Sequence, residues 1–225
     1  MNQNLTAEEV KKIFQKLHRL EKNDELEVED LLKLLKKPCV SLAEPLREMA
    51  KMYDWLPINQ ERIVPFATWA EVVAIYFEKG IAEIIALAKK KDEISPFALS
   101  TLDYLPSVEA FEAFLAISEC FEADLMNENR EFIKKYAYNL CIASHSLKKM
   151  PISEELSDKI KEILKKIIVY TENIGDEPIK MLALVPFRYI GDLSDIDFVQ
   201  KITFTEDCYQ GYEKQFVREI KKRVK

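Results

Sequence analysis

Residues Ser95–Arg130 read SPFALSTLDYLPSVEAFEAFLAISECFEADLMNENR, and this stretch decides the fold class. A serine followed by proline ahead of an apolar run marks a helix start. Proline's fixed φ suits the first turn, and its missing N–H is one that a helix start leaves unpaired anyway. Pro106 and Ser107 then turn the chain into a second helix. There Phe111, Phe114, Ile117 and Phe121 recur at helical spacing with Ala110 between them, while Glu112, Glu119 and Glu122 fall on the opposite face with Glu109 beside them. Two such helices cannot cover their apolar faces alone, so the stretch calls for helical neighbours.

The flanking sequence supplies them. Thr6-Ala-Glu-Glu9 is a capping box opening a helix with Val10, Ile13, Phe14, Leu17 and Leu20 on one stripe. With Leu26–Leu35 it predicts an N-terminal hairpin over 1–37. Ser41–Glu44 opens a helix through Leu46, Met49, Ala50 and Tyr53. Trp55–Pro65 reads as a loop, and Thr68–Glu71 as the cap of a helix ending at Gly80. Ile81–Ala88 continues as a helix into Lys89–Lys91, cations that suit a helix C-terminus.

Beyond the central stretch, the pattern predicts helices over Asn127–Lys149, from Ser153 to about Asn173, over Ile179–Ile190 behind Asp176-Glu-Pro178, and over Asp195–Ile202. Thr203–Glu206 reads as a last capping box before a basic helix, Tyr209–Lys225. The chain of 225 residues is expected to form one helical domain over 1–225, with 203–225 as its basic end.

Composition narrows the function classes. Four glycines are too few for the turns and bulges of a multi-stranded β fold or for a glycine-rich phosphate loop. A net charge of −6 and a pI near 5.3 disfavour nucleic-acid or anionic-membrane binding by the surface as a whole. The opening MNQNLTAEEV has no signal-peptide pattern, and the apolar runs are too short to span a bilayer. Cys39, Cys120, Cys141 and Cys208 form no CxxC pair, so they are expected as small buried hydrophobes in a reducing cytoplasm.

Two segments echo one another: SPFALSTLDYLPSVEAFEAFLAI from Ser95 and EPIKMLALVPFRYIGDLSDIDFVQKI from Glu177. Pro96 and Pro178 lie 82 positions apart, about twice the 40–47 residues of a HEAT or armadillo unit. Over roughly residues 65–202 the chain resembles the HEAT-repeat family of α-solenoids. That resemblance implies an all-α, right-handed superhelical array of antiparallel helix pairs. It also implies that the second helix of each pair lines a concave binding surface.

Catalytic and metal readings fail on the residues. His18 and His145 stand in no HxxxH or HExxH context. Asp192, Asp195 and Asp197 in GDLSDIDF lack the ligand order and closing glutamate of a calcium loop, and read as helix capping around Ser194. No GxSxG or Cys–His arrangement is present, so no cofactor and no catalysis are expected.

The acidic face keeps the most pull. Ser107–Glu131 holds Glu109, Glu112, Glu119, Glu122, Asp124, Glu128 and Glu131 against the single base Arg130. Like charges at helical spacing repel by a few tenths of a kcal/mol, so a merely solvated face usually mixes in lysine. Glu109, Glu112, Leu115, Glu119, Glu122 and Asp124 are therefore the candidate docking residues for another protein with a basic surface, in the manner of an immunity- or antitoxin-type protein. The alternatives are a HEAT-like nucleic-acid binder using the basic C-terminal helix, and an enzyme whose acid–base site has no recognisable motif.

Overall fold

The computed structural model describes residues 60–102 and 107–224, together with Val40, 43–44, 46–48 and Leu105; at 60–67, 107, 123 and 124 it describes the backbone alone. The expected hairpin over 1–37, His18 and Cys39 lie outside the described residues. Every regular element among those residues is helical, and none of these helices is long and apolar enough to cross a membrane. The chain divides into two compact units, Met1–Leu105 and Pro106–Lys225. The division falls inside the Ser95–Arg130 stretch, between its two helices.

In the N-terminal unit, α1 (Gln60–Lys79), α2 (Ile81–Lys89) and α3 (Ser95–Leu102) pack on one another through Val72, Val73, Phe77, Ile84, Leu87, Leu99 and Leu102. Gly80 takes φ +77° and donates its N–H to Tyr76 O at 2.8 Å, ending α1 and beginning α2 in one residue. The expected loop over Trp55–Pro65 and cap at Thr68 are corrected in part: α1 already begins at Gln60 and carries both Pro65 and Thr68. Proline's φ is helical, so this near the helix start it forfeits one backbone bond without ending the helix. Arg47 ties the 43–48 segment to α1, with its guanidinium 3.0 Å from Glu71 and 2.5 Å from Glu78.

The cap of α3 is also corrected. Asp92, not Ser95, takes the N-cap role: its Oδ1 accepts the N–H groups of Ile94 and Ser95. Ser95 is buried inside the first turn, where its hydroxyl accepts from Asp92 N and donates to Leu87 O.

The C-terminal unit contains α4 (Ser107–Ser118), a 3-10 turn at Glu122–Asn127, α5 (Arg130–Ser144), a second 3-10 turn at His145–Lys148 and α6 (Glu154–Ile174). After these come α7 (Glu177–Leu184), α8 (Phe187–Ile190), a 3-10 turn at Leu193–Asp195, α9 (Ile196–Lys201) and α10 (Tyr212–Arg223). Phe111, Phe114, Ile117 and Phe121 are all buried, as their spacing requires. Phe114 meets Tyr136 edge-on at 5.5 Å, and the Tyr136 hydroxyl donates to Phe114 O at 2.9 Å.

Four expectations shift within this unit. The acidic helix ends at Ser118, because Cys120 and Phe121 bond back three residues and Phe121 swings onto Phe132 and Tyr136. The helix expected from Asn127 starts at Arg130, since the Asn129 side chain caps the N–H groups of Glu131 and Phe132. Pro186 divides the helix expected over Ile179–Ile190 into α7 and α8. The C-terminal helix begins at Tyr212 behind a left-handed Gly211. Thr203–Glu206 is instead held to α7, where the Glu177 carboxylate accepts the N–H groups of Thr205 and Glu206.

Two anticipated helix starts stand: Ser153 accepts from Leu156 N, and Asp176 accepts from Ile179 N. Gly191 is required for space, not for φ. A Cβ there would meet Phe187 O at 2.6 Å and Ile220 Cδ1 at 3.0 Å. Gly191→Ala is therefore expected to destabilise the fold by about 1–3 kcal/mol, as over-packing does, read as a lower urea midpoint by circular dichroism. An unchanged midpoint would show that α8 and α10 are not in close contact here.

Candidate functional site

The acidic residues separate into three groups in the fold. Glu109 and Glu112 lie exposed on α4 and make no ion pair among the described residues. They flank Val108, which is 45% exposed, and the half-buried Leu115. Glu119 is exposed in the turn after α4, outside the helix that was expected to carry it. Glu122 lies in the 3-10 turn and is ion-paired with Lys166 of α6. The side chain of Asp124 lies outside the described residues. The continuous acidic face expected from the helical wheel is thus a shorter one on α4, because the helix stops early and one of its carboxylates is taken by a lysine.

Asp192 and Asp195 of GDLSDIDF do cap, in place of the expected Ser194. Asp192 accepts from Ser194 N at 2.7 Å, and Asp195 accepts from Asp192 N at 3.0 Å. Asp195 is 1% exposed and sits in an ionic cluster that spacing did not reveal. Lys161 Nζ lies 2.5 Å from Asp192, 2.7 Å from Asp158 and 3.2 Å from Asp195. Lys165 Nζ lies 2.6 Å from Asp195 Oδ1, as an ion pair without the geometry of a directed hydrogen bond.

Burial alone would pull the Lys161 ammonium down, but its hydrogen bonds to Asp158 and Asp192 and the charge of Asp195 hold it above the ordinary lysine range. Burial likewise pushes Asp192 up, and bonds from Lys161 and Ser194 outweigh it and hold the carboxyl at about 2. A lysine held this firmly protonated is no nucleophile, so the cluster is a structural lock.

A different surface gathers chemistry that the linear sequence scatters. The exposed side of α5 carries Tyr138, 48% exposed, and Ile142 one turn later. It leads into His145 and Lys148 of the following 3-10 turn. Tyr189 of α8 packs there: the His145 ring meets it edge-on at 5.6 Å, and Lys148 Nζ and Arg188 Cζ each lie 5.6 Å from its centroid. Arg188 reaches Glu219 of α10, which also accepts from Gln215. The lysines and arginines of α10, Lys214, Arg218, Lys221, Lys222 and Arg223, are all exposed, whereas Phe216, Val217 and Ile220 are buried beneath them.

Burial first, then the charges of Lys148 and Arg188, hold the His145 imidazole below its ordinary value. The one signal in the sequence was the C-terminal run of cations. Nothing in residues 138–148 or 188–189 announced that they would pack together, or that Arg188 would reach Glu219 of the helix that carries it.

The thiols differ from expectation in two places. Cys141 is buried, but Cys120 is only partly covered and Cys208 is exposed. Comparison with known proteins adds no identity: no family model, no curated protein and no solved structure matches this chain.

Proposed function

We propose that this chain is a non-catalytic protein-binding module that docks a basic partner through the acidic side of α4. The observation that carries the reading is that Glu109 and Glu112 stand exposed beside Val108 and Leu115 and make no ion pair among the described residues. Apolar area flanked by charge of one sign is the chemistry of a docking patch, in which the charges steer encounter and the apolar groups hold contact. A basic toxin-like enzyme is one partner of that kind. The reading includes a HEAT-like stacking of helix pairs into a right-handed superhelix. Supporting that part, α3 and α7 are each eight residues long and carry proline in second position.

The test is affinity capture from the native host, comparing the wild type with Glu109→Lys/Glu112→Lys. The expected result is a stoichiometric partner with a basic surface, bound at least tenfold more weakly by the variant and more weakly at high salt. A partner retained equally by the variant, or no stoichiometric partner at all, would overturn the reading.

A further inference from the structure

The surface assembled from α5, α8 and α10 points to a second binding activity, independent of the acidic helix. We propose that Tyr138, His145, Lys148, Tyr189, Arg218 and Lys222 form a site for single-stranded nucleic acid. The tertiary contacts bring these elements side by side: His145 and Lys148 pack on Tyr189, Arg188 carries the contact to Glu219, and Arg218 and Lys222 lie exposed on the same helix as Glu219.

Charge selects an anionic occupant. Glu219 is the acid that faces the seam from α10, and Arg188 neutralises it. On α10, Lys214, Arg218 and Lys222 recur every four residues. Their rise of about 6 Å per step is close to the spacing of successive phosphates along an extended strand. The row lies opposite the buried Phe216, Val217 and Ile220, and none of its three cations makes an ion pair among the described residues.

Aromatic chemistry selects a nucleic acid over an acidic protein. Tyr138 presents its phenol ring to solvent two helical turns from the exposed His145 imidazole. Flat rings among cations bind the faces of unpaired bases while the cations take the phosphates. Burial first, and then the charges of Lys148 and Arg188, lower the His145 pKa, and an anionic strand would offset the second of these. The chain's net charge of −6 does not contradict this, because the acids of α4 and the cations of the seam belong to different elements.

The test is fluorescence anisotropy of labelled oligothymidylate of about 12 nucleotides against the full chain, beside a duplex of equal length and a polyglutamate peptide. Neutralising about three phosphates predicts an affinity that falls about 20-fold between about 50 and 200 mM salt. Lys148→Glu/Arg218→Glu should weaken the single strand at least tenfold. Tyr138→Ala should weaken it several-fold and leave polyglutamate unchanged, Tyr138→Phe should restore it, and Lys90→Glu should have no effect. Binding should also shift the His145 ring resonances and raise its pKa in the field of Lys148, Arg188, Tyr189 and Glu219.

No single-strand binding at the lower salt overturns the proposal. So does equal affinity for the duplex, which would mean phosphate attraction alone. Polyglutamate binding as tightly as the oligonucleotide, with Tyr138→Ala silent, would identify an acidic-protein surface instead. Circular dichroism of each variant separates these outcomes from misfolding.

Discussion

Asp195→Ala is expected to lower the stability of the C-terminal unit by about 3 kcal/mol, at the lower end of what removing one partner from a buried ion pair costs. The buried carboxylate faces two ammonium groups and also accepts the Asp192 N–H. Its removal leaves Lys161, only 5% exposed, with less compensation, and Asp158 and Asp192 keep the loss from being larger. The urea midpoint should be followed by far-UV circular dichroism, because both tryptophans, Trp55 and Trp69, belong to the N-terminal unit. Replacing the pair together, Lys161→Met/Asp195→Leu, should recover most of the loss, since an apolar pair removes the uncompensated charge. A loss below about 1 kcal/mol for Asp195→Ala would show that the aspartate is hydrated and not locked.

The same cluster sets an acid limit. Asp192 titrates at about 2 in the fold against 3.8 for the unperturbed group, so its folded form is the stronger acid. The stabilisation is fully present above the unfolded value and is lost as pH falls through about 2. Asp192→Asn should flatten that part of the acid-unfolding curve.

Phe114→Ala is expected to cost about 3–5 kcal/mol, the usual range for deleting a buried aromatic ring. The ring is fully buried on α4 and stacks edge-on against Tyr136. Tyr136→Phe keeps that ring contact and removes only the hydroxyl bond to Phe114 O, so about 1 kcal/mol is expected. A double-mutant cycle with Phe114→Ala and Tyr136→Ala should return a coupling of about 0.5–1.5 kcal/mol beyond the separate losses. Zero coupling would mean that the two rings do not pack against each other.

Much of the fold was legible because helices are specified locally. The spacing of Phe111, Phe114, Ile117 and Phe121 identified a buried face, and each of those residues is buried. Ser153, Asp176 and Gly80 marked helix ends by side-chain or backbone chemistry confined to a few neighbouring residues. The errors arose where tertiary contacts overrode local preference. Phe121 leaves the helical path because Phe132 and Tyr136 offer it a core, and Thr203–Glu206 does not cap a helix because Glu177 claims its N–H groups.

The candidate sites divide in the same way. By itself the sequence determined that α4 would be acidic on one side and aromatic on the other, since side-chain identity and helical period suffice for that. Only the tertiary structure decided which acids remain available. It paired Glu122 with Lys166, ended the helix before Glu119, and left Glu109 and Glu112 exposed. It alone brought His145, Lys148, Arg188, Tyr189 and Glu219 together across some 70 positions of chain. The physical reason is that charge pairing and ring packing depend on distance in space, which helical periodicity reports only within one helix.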